Sequence, residues 1–145
     1  MVDVVTSITI NRPLEQVAAY AADPANAPEW YVNIDSSRWL TEPVLQVGSQ
    51  VAFSARFLGR TLSYVYEIAQ FEPSEQLVMR TSEGPFPMQT TYVWEAAGPS
   101  ATRMELRNTG RPRGFFRLLG PVLERSMHTA NSKDLQNLKR LLESR

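Results

Sequence analysis

The chain contains no cysteine. Neither a disulfide framework nor a thiolate metal site can belong to its design, and cysteine redox chemistry is excluded. Histidine is nearly absent: His128 is the single one. A metal site built on several histidines is therefore impossible, and a serine triad would have to use this one residue. The seven glycines are scattered at turns, forming neither a phosphate-cradling loop nor a nucleophile elbow. No stretch approaches the roughly 20 apolar residues a membrane span needs. The opening MVDVVTSITI lacks the basic region and apolar core of a secretory signal. We expect a soluble, cytoplasmic protein with no stable membrane insertion. Net charge is missing as well, since 15 Lys+Arg balance 15 Asp+Glu. The global basic footprint of a nucleic-acid binder is absent, and no nucleic-acid partner is expected.

What is present is hydrophobic substance. With 145 residues and 43% hydrophobic content, the chain has the size of one compact domain able to bury a substantial core, and we read residues 1–145 as a single domain. Its charge is unevenly spread. Residues 1–100 carry 5 Lys+Arg and 11 Asp+Glu, whereas residues 101–145 carry 10 and 4. Arg103, Arg107, Arg111, Arg113 and Arg117 read either as solvated surface charges or as an anion-facing patch for lipid headgroups or an acidic partner.

The hydrophobic periods define the elements. Val2, Val4, Thr6, Ile8 and Ile10 share one side of an opening strand. Pro13 suits a first helical position, and Leu14, Val17, Ala18 and Ala21 fall on one face of a short helix. Asp23-Pro24 stops it, leaving room for a second short helix carrying Trp30 and Tyr31. From residue 49 the period becomes two. Val51, Phe53, Ala55 and Phe57 share a face, and beyond a turn at Gly59-Arg60 so do Leu62, Tyr64, Tyr66 and Ile68. Leu77 and Met79, then Met88, Thr90, Tyr92 and Trp94, then Thr102, Met104, Leu106 and Asn108, continue the alternation. The order predicts an antiparallel meander. Residues 114–143 then carry Phe116, Leu119, Leu123, Met127, Ala130, Leu138 and Leu141 at helical spacing, with a gap at Asp134. Gly120-Pro121 should mark where a preliminary turn becomes the main helix.

These residues carry a family resemblance. The run Ala22-Asp23-Pro24 to Trp30-Tyr31, the Val47-Gly48-Ser49 strand start, the segment Glu67 to Pro73 followed by Leu77 and Arg80, and the terminal Asp134-Leu135-Gln136-Asn137-Leu138-Lys139 together resemble the START-like superfamily (SRPBCC). Within it the chain is most similar to the polyketide cyclase/dehydrase and lipid-transport group. The resemblance implies an α+β helix-grip fold: a seven-stranded antiparallel sheet curved around a long C-terminal helix, with two short helices after the first strand and a cavity between sheet and helix.

Function has to be argued from the site. With the bulkier strand faces concave, the candidate lining is Phe53, Phe57, Tyr64, Tyr66, Met79, Met88, Tyr92, Trp94, Met104 and Leu106, with Leu119, Leu123 and Met127 from the helix. Read from periodicity alone, such a set either fills a solid core or walls an apolar pocket; the resemblance favours the pocket. The four methionines between 79 and 127 would make that wall adaptable. Trp30 is either an anchor for its helix or a ligand contact, and Phe86, between two prolines, is either plain turn chemistry or a lid. His128 is a boundary or surface residue, or an acid/base with Glu124 at neighbour spacing. Arg80 points outward opposite Leu77 and Met79.

No convincing set of catalytic residues emerges, no cofactor is implied, and a monomer or weak homodimer is expected. The expected function is binding or carrying of a hydrophobic small molecule such as a lipid, sterol, polyketide or quinone-like compound. A cyclase or aromatase working in the same cavity is the alternative, and a protein-interaction module using the basic last strand is a further one.

Overall fold

The alternating stretches become seven antiparallel strands of one curved sheet, ordered β1-β7-β6-β5-β4-β3-β2. They are β1 (Val2–Ile10), β2 (Ile34–Trp39), β3 (Gln50–Phe57), β4 (Arg60–Glu72), β5 (Gln76–Glu83), β6 (Met88–Ala96) and β7 (Thr102–Gly110). Between β1 and β2 come α1 (Leu14–Ala22), a 3-10 turn (Pro24–Asn26) and α2 (Ala27–Trp30); after β7 come α3 (Phe115–Leu118) and α4 (Pro121–Glu143). This computed structural model describes all residues from Met1 to Arg145. The architecture is the helix-grip fold that the resemblance implied.

Local chemistry sets the boundaries. Pro13 precedes α1, whose Val17, Ala18, Tyr20, Ala21 and Ala22 are buried. The Asp23 carboxylate then accepts the Ala25 amide at 3.0 Å and caps the 3-10 turn. The β3–β4 hairpin turns on Leu58 and Gly59, at φ 53° and 76°, one residue earlier than the sequence suggested. A two-residue loop with both φ values positive matches the twist of its strands, and glycine supplies one of them without strain. Gly120, at φ 52°, separates α3 from α4, and Pro121 opens the main helix.

β2 has no counterpart in the sequence reading. A register shift between Ile34 and Ser36 breaks its period, and as an edge strand it carries Asp35, Ser36 and Arg38 outward.

Two apolar clusters hold the layers together. The larger joins Leu135, Leu138 and Leu142 of α4 to Ile10, Val17, Leu77, Trp94, Met104 and Leu106. A smaller one gathers Val2, Val4, Phe86, Phe116 and Leu123 at the opposite end of the helix. Each fully buried aliphatic or aromatic side chain contributes about 1.5–3 kcal/mol relative to exposure. The helix is therefore pinned at both ends.

Candidate functional site

Between the two clusters the first half of α4 stands away from the sheet and leaves a cavity of about 130 Å³. Sixteen of its 22 lining residues are hydrophobic. Strands β3 to β6 supply Phe53, Phe57, Tyr64, Tyr66, Met79, Met88 and Tyr92, and α4 supplies Leu123 and Met127. Their side chains share the concave face because each strand alternates and the α4 positions recur at four-residue spacing. The cavity shares Asn33, Phe57 and Ala130 with an outer groove bounded by Leu58, Arg125, Thr129 and Lys133. Arg56 also lines the cavity, and its exposed side chain marks a mouth to solvent, 3.9 Å from the exposed Asp35.

The other candidates sit elsewhere. Trp94, Met104 and Leu106 belong to the closed core under the second half of α4, and Leu119 packs on the smaller cluster. Trp30 is fully buried beside Tyr31, with ring centroids 4.1 Å apart, and is not on the wall. Phe86, in the loop between β5 and β6, is buried, packs on Phe116 at 5.3 Å, and lines the cavity. His128 is exposed, and Arg80 points outward to bond Gln89 at 2.8 Å. Arg107 forms a two-pronged pair with Asp3 on the surface, while Arg111, Arg113 and Arg117 are exposed.

Beyond Tyr64, Tyr66 and Tyr92, the cavity holds polar residues that the candidate lining did not include. Tyr31, Asn33, Arg56, Thr90, Asn108, Asn131 and Asp134 all line it. The signal for Asp134 was the gap in the apolar stripe of α4, where a charged residue occupies an inward position. Asn137, one helical step further, donates to the Glu29 and Trp30 carbonyls at 3.1 and 3.0 Å, and Asp134 accepts the Val32 amide at 2.8 Å. Together these bonds fasten the end of α2 to α4 and present Tyr31 to the cavity. The Tyr31 hydroxyl meets that of Tyr92 at 2.5 Å. On the sheet side the Tyr66 hydroxyl bonds Thr90 at 2.7 Å, and Thr90 donates to Asn108 at 2.5 Å.

Burial sets the protonation of this cluster. Asp134 is 2% exposed and takes part in no salt bridge. Loss of hydration lifts its carboxyl to about 7, against the smaller opposing effect of the Val32 amide. The Tyr31, Tyr64 and Tyr92 hydroxyls are raised above the usual phenol range, chiefly by burial and further by the neighbouring Asp134 carboxylate. Tyr66 is pushed up to about 12 by burial, opposed by its bond to Thr90. Near neutral pH the tyrosines are proton donors, and Asp134 is divided between its two forms. The Asn131 Nδ2 group is sealed from water and meets no acceptor. Nowhere do three or more His, Asp or Glu side chains converge as a metal-binding set.

The family model for polyketide cyclase/dehydrase and lipid transport matches residues 1–143. The chain belongs to this family. Solved structures share its fold. A START superfamily protein from Mycobacterium smegmatis superposes with a TM-score of 0.84 at 14% identity, covering 98% of this chain and 97% of that one. The Zhui aromatase/cyclase from a Streptomyces species gives 0.81 at 16% identity, with 97% and 93% covered. A protein from Thermus thermophilus gives 0.82 at 19%, with 95% and 94% covered. At these identities the likeness is one of fold. No curated protein matches the chain by sequence.

No helix is long and apolar enough to cross a membrane.

Proposed function

We propose that the protein binds or carries a hydrophobic small molecule in the cavity between the sheet and the first half of α4. The observation that supports this most directly is the cavity's predominantly apolar lining. An apolar space on the order of 150 Å³ is enough to take a benzene-sized guest. A larger lipid, sterol, polyketide or quinone-like ligand would require the wall to yield, and Met79, Met88 and Met127 are the flexible side chains placed to do so. Burial of apolar area would drive binding at about 25 cal/mol per Å² before ordering costs. Native mass spectrometry of the purified protein should reveal a retained apolar molecule, or uptake of an apolar dye by the emptied protein. A protein that arrives empty and takes up no such dye would overturn the reading.

A second reading, a cyclase or aromatase acting in the same space, is favoured by Asp134. A carboxyl held near 7 beside three tyrosine hydroxyls has the poise of a general acid or base. Under that reading Asp134→Asn abolishes turnover of a polyketide substrate but leaves apolar binding intact. Turnover that survives the substitution would remove it.

A further inference from the structure

Resting on the cavity reading above, we infer that the buried polar end of the cavity selects a neutral carbonyl group, held by the Asn131 amide and the Asp134 carboxyl, and rejects a carboxylate. The two side chains are three residues apart on α4, a spacing that puts them side by side on one helical face, and both line the cavity. Asn131 is 6% exposed, and its Nδ2 donor has no partner within the protein. A buried donor left unpaired costs about 1–3 kcal/mol. A turn of the Asn131 amide toward the cavity would let a ligand oxygen recover that loss, and an alkyl group in the same place would not.

The charge of the ligand follows from Asp134. Its carboxyl is buried against Val32 and faces Tyr31, Tyr64 and Tyr92, all hydroxyl groups, with no cation among them. The one arginine lining the cavity, Arg56, is at the mouth, with its side chain 78% exposed and directed to Asp35. A carboxylate carried to the Asn131 end would therefore sit beside a second carboxyl without a counter-ion, which is the costly arrangement for buried charge. A ketone, aldehyde or ester carbonyl brings an acceptor without bringing charge. The neutral form of Asp134 adds an O–H donor to the Asn131 amide, so two donors can converge on one oxygen. The three surrounding tyrosines hold their protons well above neutrality, so Asp134 is the group among them that changes state near pH 7.

Calorimetric titration with three probes of one shape tests the inference: acetophenone, ethylbenzene and benzoate. Acetophenone should bind about tenfold more tightly than ethylbenzene, the worth of one recovered hydrogen bond, and benzoate at least tenfold more weakly than acetophenone. The ketone's advantage should shrink between about pH 6 and about pH 8 as Asp134 loses its proton. Asn131→Leu should bring acetophenone down to the level of ethylbenzene while ethylbenzene still binds. Equal affinity for ketone and hydrocarbon, or benzoate binding as tightly as acetophenone, would overturn the inference and leave the cavity reading standing. Failure of all three probes would overturn both. The comparison of probes on the unaltered protein decides the matter even if the Asn131 variant does not fold.

Discussion

The Tyr31 hydroxyl lies 2.5 Å from the Tyr92 hydroxyl, joining the segment after α2 to strand β6 across the cavity. Tyr92 is buried and Tyr31 half-buried, and each hydroxyl has the other as its hydrogen-bond partner. Tyr31→Phe and Tyr92→Phe should each destabilise the fold by about 1–2 kcal/mol, because each leaves a buried partner unpaired. The double substitution should cost clearly less than the two single costs combined. Urea unfolding of the four proteins measures the cycle, and strict additivity would show that the hydroxyls are independent.

Asp134→Asn should stabilise the protein at neutral and alkaline pH. The folded carboxyl titrates near 7, above the usual 3.8, so the folded state holds a proton that the unfolded state has already released. Stability consequently falls as pH rises from the unfolded value through the folded one, and the penalty is complete above it. Asparagine removes the penalty and can still accept the Val32 amide. The gain should be roughly 2–4 kcal/mol near pH 8 and should fade toward pH 4. Denaturant midpoints across that range check it, and a gain independent of pH would contradict the assignment.

Thr90→Val should cost about 1–3 kcal/mol despite its nearly equal volume. It strips the partner from Tyr66 and from Asn108 together. Thr90→Ser, which keeps the hydroxyl, should recover most of the loss. Thermal unfolding of both variants distinguishes a lost hydrogen bond from a lost methyl group.

Truncations along α4 should have unequal costs. Leu138→Ala removes a fully buried side chain from the closed core and should cost about 2–5 kcal/mol. Met127→Ala removes a half-buried one that faces the cavity, where partner atoms are already missing, and should cost roughly 1 kcal/mol or less. The same Met127→Ala change should widen the range of ligand sizes accepted, read as retained affinity for bulkier apolar probes.

Much of this arrangement was legible in the sequence because strand and helix periods decide which face a side chain takes. Phe53, Tyr64, Tyr66 and Tyr92 fall on the concave side for that reason. A period does not say how far the helix stands from the sheet. Trp94, Met104 and Leu106 share the face of the cavity residues but lie where α4 is tightly seated. β2 escaped notice because a bulge and outward polar residues erase its alternation. Asp134 was visible only as an interruption of a stripe, and Asn131 carried no cavity signal. Their meaning depends on what faces them across the cavity, which comes from strands and a loop distant in sequence.

The division of α4 has a consequence for how this protein tolerates change. Leu135, Leu138 and Leu142 seal one end and Leu123 packs into the cluster at the other, whereas Met127 and Ala130 between them look into the cavity. Effects of substitutions at well-separated sites tend to add rather than compound. A library randomised at the cavity positions should keep a large share of folded members, and one randomised at the three leucines should keep few. One helix thus separates the residues that make the molecule fold from those that can diversify its choice of guest.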